Sequence, residues 1–165
     1  MNSPSPTQEI QIVALYLSPG HNYFGHHGKP AGENRIVPCE FLDIEAGKGI
    51  LGDRFFDYKP DYKGQVTFFE EETFLALGQL LGVGGKDMGV FRRNVITRGI
   101  DLNSLIGKTF TIQGVEFLGA EEAKPCYWMN QAFAPGAEEA LRGKGGLRAK
   151  ALSSGRISIG AAALS

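Results

Sequence analysis

The run EEAKPCYWMN sets Cys126 after a proline and before an aromatic pair, downstream of an arginine-rich stretch, FRRNVITRGID. Pro125 fixes its own φ and so restricts the angle at which the thiol is delivered. A thiolate is both a nucleophile and a soft metal ligand, and cationic neighbours favour it over the thiol. Arg92 and Arg93 carry permanent charge, and a guanidinium grips phosphate through two parallel hydrogen bonds. Together these residues read as anion binding beside a soft ligand or nucleophile. Free cysteine is also a common core residue, so a packing role for Cys126 stands beside the chemical one. For Arg92 and Arg93 the corresponding alternative is a solvated pair at a strand end.

Further candidates surround this pair of motifs. Asn94 offers a donor and an acceptor to a heterocycle edge, or simply fills a turn. Arg98 and Asp101 read as a local pair. In GKGILGDRF, residues 47–55, Asp53 and Arg54 either bound a cavity or lock their own loop by hydrogen bonds. GKGGLRA, residues 143–149, sets three glycines beside Lys144 and Arg148. Such glycines can turn amides toward an anion, but the spacing is neither a P-loop nor a dinucleotide fingerprint. A tight turn into the next strand explains the segment equally well. Cys39, in IVPCEFL, reads as a packed strand residue. His21, His26 and His27 share one loop without an acidic or cysteine partner at zinc spacing, which argues for polar groups at the mouth of a site and against a structural zinc.

Glycine punctuation describes the scaffold that must position these groups: 23 glycines are spread along 165 residues, marking many short elements. EIQIVALYL reads as an opening strand, followed by the long loop SPGHNYFGHHGKPAGEN, whose length suggests a functional role. IVPCEFLDIEA reads as one extended run and GQVTFFE as a third strand. EETFLALGQLLG has the apolar spacing of an amphipathic helix, with acidic residues suited to its N-terminus. NVITRG is a fourth strand. KTFTIQ and VEFLGAE flank a turn at Gln113-Gly114, a hairpin with Phe110, Ile112, Val115 and Phe117 as apolar contacts. PGAEEALRG reads as a short helix, and LRAKALSSG and RISIGA as two closing strands. Short strands with few helices point to a mainly β fold, a closed or nearly closed mixed β-barrel. No domain boundary is visible, so residues 1–165 read as one domain, with residues 1–9 and those after Gly160 its loosest parts.

Bulk properties narrow the function classes. The 42% hydrophobic content supports a real core, and 17 basic against 18 acidic residues leave a formal charge of -1. Such a balance supplies no bulk field toward nucleic acid or an anionic membrane, so any anion site is local. The start lacks a signal-peptide pattern and no apolar run reaches bilayer length, which predicts a cytoplasmic protein. Two cysteines in different contexts read as reduced thiols.

The order of these motifs resembles a known family. GKGILGDRFF, GQVTFFEEE, FRRNVITRGIDLNSLIGKTFTIQGVEFLGAEEAKPCYWM and ALRGKGGLRAKAL are similar to a free-standing MOSC domain, the module named for the C-terminus of molybdenum cofactor sulfurase. The resemblance covers roughly residues 36–160 and rests most on RRNVITRGIDLNSLIGK with the Pro125-Cys126 dipeptide. It implies a barrel like that of a pyruvate kinase barrel domain. It also implies handling of sulfur or of the molybdenum cofactor, molybdopterin. In relatives that reduce N-hydroxylated compounds, the cysteine matching Cys126 ligates molybdenum, and residues matching Arg92 and Asn94 lie near the cofactor.

Asp53, Arg54, Arg92, Arg93, Asn94, Lys144 and Arg148 are accordingly expected around the cofactor, with Cys126 as metal ligand or, alternatively, as carrier of a persulfide. The aminotransferase-like domain of the sulfurase is not recognisable in the sequence, so pyridoxal phosphate is not expected and a sulfur-donor or electron-donor protein is. The resemblance thus implies a molybdenum-dependent oxidoreductase or a sulfur-transfer protein. A non-catalytic barrel that binds an anionic small molecule or a protein is the competing class.

Overall fold

The structure, a computed structural model, describes residues 7–20 and 35–165; the loop histidines His21, His26 and His27 lie outside the described residues. Its strands are β1 (Gln8–Leu17), β2 (Val37–Cys39), β3 (Phe41–Glu45), β4 (Gly49–Ile50), β5 (Val66–Glu70), β6 (Val95–Arg98), β7 (Thr109–Ile112), β8 (Val115–Glu122), β9 (Leu147–Ala151), β10 (Gly155–Ser158) and β11 (Gly160–Leu164). The helices are α1 (Glu71–Leu81), α2 (Trp128–Ala132) and α3 (Ala137–Ala140), with 3-10 turns at Met88–Phe91 and Leu102–Leu105.

Seven strands form a ring in the order β11, β7, β8, β9, β5, β6, β1, closed by pairing of β1 with β11. The chain is therefore mainly β with a closed mixed barrel, as its short strands suggest. β5 and β6 are parallel, and a parallel pair needs a crossover, here α1 and the first 3-10 turn. β2 extends the sheet from β1, and β10, β3 and β4 form a second, three-stranded sheet.

Alternation of side chains builds two cores. Ile10, Ile12, Phe68, Val95, Phe110, Phe117 and Leu147 belong to the barrel interior. There Phe68 meets Phe110 and Phe117 edge-on, with centroids 5.7 and 5.4 Å away. Phe69, one residue on, points to the opposite face and joins Phe74, Leu77, Phe91, Met129 and Phe133 beneath the helices. Both faces of β5 are covered, so Val66, Thr67, Phe68 and Phe69 are all buried without alternation. The hairpin at Gln113-Gly114 forms as expected. Both turn residues have positive φ, 50° and 81°, and all four apolar contacts are buried.

Three expectations are corrected. The segment after Gly160 is not loose: β11 pairs residue for residue with Gln8–Ile12 and so closes the ring. The same ladder ties down Gln8 and Glu9. IVPCEFLDIEA divides at Glu40 into β2 and β3, which join different sheets. Arg98 pairs with Glu71 at 2.8 Å rather than with Asp101, whose carboxylate accepts from the Asn103 amide at the start of a 3-10 turn.

Candidate functional site

The first 3-10 turn ends at Arg92 in the left-handed region, φ 60°, a conformation uncommon for a residue with a Cβ. That reversal feeds the chain into β6 and gives three consecutive polar residues different destinations. Arg92 is 4% exposed, and its Nη2 donates to the Gly20 carbonyl at 2.5 Å. The Arg93 guanidinium donates to the carbonyls of Gly145, Phe91 and Ala123 at 3.0, 3.3 and 3.1 Å. Asn94 turns inward and is buried.

Asn94 is fully engaged. Its Oδ1 accepts from the Thr67 amide and hydroxyl, both at 3.0 Å, while Nδ2 donates to the Tyr16 carbonyl at 3.1 Å and to Asp53 Oδ1 at 3.2 Å. Asp53, also buried, accepts in addition from the amides of Ser18 and Phe55. These two residues lock β1, β5, β6 and the GD loop together; their polar atoms meet protein groups and not the cavity. Neither residue lines the cavities described next, and Asp53 makes the bonds of the loop-locking alternative.

Cys126 is exposed at the end of the segment between β8 and α2. It lines a cavity of about 210 Å³ with Arg54, Arg92, Arg93, Val90, Phe91, Trp128, Met129 and Ala132. A second cavity, about 390 Å³, is lined by Arg54, Arg93, Arg148, Lys124, Thr67, Glu121, Glu122, Phe55 and Tyr62. Arg54 and Arg93 border both. A soft sulfur and a polar, cationic cleft therefore adjoin across two shared arginines.

Burial pushes the Arg54 guanidinium below its ordinary pKa, opposed by Asp53 and Tyr62. Arg93 is pushed down to about 10, chiefly by burial, with Cys126 and Glu122 opposing and Arg54 and Arg148 reinforcing the shift. It stays charged at neutral pH. Arg54 lies 4.5 Å over the Phe55 ring and Arg148 5.1 Å over Tyr62. Arg148 also pairs with Glu121 at 2.6 Å. A bulge in β8 between Gly119 and Glu121 re-aims the strand so that Glu121, Glu122 and Ala123 line the larger cavity.

The glycine run before β9 makes the bonds of a tight turn. Gly145 donates its amide to Glu122 at 3.2 Å, and the Gly146 carbonyl accepts from Ala123 at 2.9 Å. Lys144 lies apart, on a groove beside Glu72, Leu80 and Leu141, so the expectation that it joins the site is not met. Two site components escaped the sequence reading. One is α2, which supplies Trp128 and Met129; the other is the FFDYKPDYKG stretch, which supplies Phe55 and Tyr62. Apolar residues four apart, at Trp128 and Ala132, and aromatics interleaved with cations were the available signals. Cys39 matches its packing role: half-buried in β2, it donates to the Val37 carbonyl at 3.4 Å, and burial pushes its thiol pKa up.

Among the described residues, no group of three or more His, Cys, Asp or Glu side chains can hold a metal alone, and no helix is long and apolar enough to cross a membrane. The family model described as MOSC domain matches residues 26–163. No curated protein matches the chain by sequence. Among solved structures, the YuaD protein from Bacillus subtilis aligns with a TM-score of 0.73 at 19% identity, over 96% of each chain. YiiM from Geobacillus stearothermophilus aligns with a TM-score of 0.64 at 18% identity, over 94% of this chain and 75% of that one. For YiiM from Escherichia coli the values are 0.63 and 15%, over 97% and 70%. At these identities the likeness concerns the fold.

Proposed function

The chain belongs to the MOSC domain family, and from that premise we propose that it binds the molybdenum cofactor, with Cys126 as the protein's sulfur ligand to the metal. The observation that carries the reading is the exposed thiol beside a cationic cleft with which it shares Arg54 and Arg93. The donor set fits the group. A thiol that has no His or carboxylate cluster around it among the described residues suits a metal whose other ligands arrive on a dithiolene. Arg54 and Arg148 offer guanidinium donors to the phosphate, and Phe55 and Tyr62 offer flat faces to the pterin. Bound there, the cofactor supplies two-electron redox chemistry at molybdenum. The protein's part is to hold the anion, fix the sulfur, and bound the reacting position with Phe91, Trp128 and Met129. Small N-hydroxylated compounds are the substrate class this reading favours, with a separate protein as electron donor.

Exposure of Cys126 also favours a second reading, sulfur carriage. Its thiolate would attack the outer sulfur of a donor persulfide, forming a new S–S bond and releasing the donor thiolate. Elemental analysis and pterin fluorescence of protein from a molybdenum-competent host separate the two. Stoichiometric molybdenum and pterin, with Cys126→Ser losing turnover but keeping pterin, support the cofactor reading. Cyanide-releasable sulfur that Cys126→Ser abolishes, without metal, supports the carrier reading. Neither signal leaves the binding barrel.

A further inference from the structure

We infer that Arg93 is the positioning residue of this site: its guanidinium braces the Cys126 segment against the glycine turn before β9, and its main part in the site is that brace and not anion binding. Nε, Nη1 and Nη2 reach the carbonyls of Gly145, Phe91 and Ala123, which belong to three separate stretches of chain. A bidentate anion takes two N–H groups along one edge of the fork. Nε and Nη2 form the side-on edge, and each gives an N–H to main chain, so that edge is closed to an anion and one N–H is left on each of Nη1 and Nη2.

Two further bonds tie the same segments, from the Ala123 amide to the Gly146 carbonyl at 2.9 Å and from the Gly145 amide to Glu122 at 3.2 Å. The approach is so close that a Cβ on Gly145 would collide with the Ala123 carbonyl oxygen and the Pro125 ring. Only Lys124 and Pro125, the latter with a fixed φ, separate Ala123 from the thiol, so a displaced Ala123 shifts the segment that presents it. Lysine at this position keeps the charge but carries its donors on a single atom, so it cannot bracket three carbonyls. The inference rests on the proposed reading only in taking Cys126 as the working thiol and the adjoining cleft as the anion site.

The test pairs two probes of the native protein. Iodoacetamide labelling at Cys126, read by mass spectrometry at neutral pH, reports the thiol. Isothermal titration calorimetry reports binding of inorganic phosphate. Arg93→Lys is expected to slow labelling about tenfold, since the segment that presents the thiol at the cavity is no longer held in place, while phosphate affinity stays within about twofold. Gly145→Ala breaks the brace from the carbonyl side, leaves Arg93 in place, and gives the same pair of results. In Arg93→Ala, millimolar methylguanidinium restores the wild-type labelling rate and ammonium does not. Wild-type labelling in both Arg93→Lys and Gly145→Ala overturns the inference, as does an Arg93→Lys protein whose chief defect is phosphate binding. Arg148→Ala distinguishes the parent reading: phosphate affinity unchanged in that variant counts against the anion cleft, and the labelling arm still decides for Arg93.

Discussion

Burial divides the polar residues near the thiol into those that hold the barrel together and those that can meet a ligand. Asn94 belongs to the first kind. Replacement by alanine strands the Thr67 amide and hydroxyl and removes donors from Tyr16 and Asp53, all in a dry setting. Asn94→Ala is therefore expected to destabilise by about 2–4 kcal/mol, measured by urea unfolding; a loss under about 0.5 kcal/mol would contradict the network. Cys126 belongs to the second kind. Exposed, it should alkylate before Cys39, whose thiol is held by burial and by the Val37 carbonyl. Mass-spectrometric peptide mapping across a pH series checks the order, and preferential labelling of Cys39 would refute it. The sequence singled out the thiol and the arginines by residue type, but not what the arginines bond, since the carbonyls they reach lie 72, 52 and 30 residues away. It could not assign Asn94, since its partners lie 27, 41 and 78 residues away and a polar residue beside arginines looks the same whether it faces inward or outward.

Elements with strong local patterns were legible and those completed by distant pairing were not. α1 follows from its apolar spacing, and the β7–β8 hairpin from alternation around Gln113-Gly114. GAAAL carries neither signal, yet as β11 it closes the ring, since small side chains suffice where two neighbouring strands supply the hydrogen bonds. α2 is a short helix anchored by Met129, packed with Phe91 in the helical layer, and by the buried Trp128, which no five-residue window announces. A chain ended after Ile159 loses both β11 ladders and uncovers Ile10 and Ile112. It is expected to lose its cooperative thermal transition and to bind a hydrophobic dye. A sharp, native-like transition in that shortened chain would show that the barrel does not depend on closure.

At the scale of the whole molecule, the layer that covers the barrel and the wall of the thiol cavity are one packed unit. Tyr16, on β1, shares a cluster with Phe69, Phe74, Phe91 and Met129, and the last two also face the cavity of Cys126. Burial pushes the Tyr16 hydroxyl pKa up to about 12, reinforced by its hydrogen bond to Asp87 and that carboxylate's charge and opposed by the Gly89 backbone. The folded state thus prefers the neutral phenol more strongly than the unfolded chain does. Its stabilisation is complete below the ordinary tyrosine value near 10 and is lost as pH rises toward 12. Allowing for solvent screening, the loss amounts to roughly 1–2 kcal/mol. Tyr16→Phe removes the ionisation and keeps most of the ring packing, although Asp87 loses a donor. The variant is therefore expected to be less stable than wild type at pH 8, and the gap should narrow between pH 10 and 12. Denaturant unfolding at both ends of that window measures it. A gap that stays constant would mean that Tyr16 ionises as freely in the fold as out of it, and that the cover layer does not sense its charge.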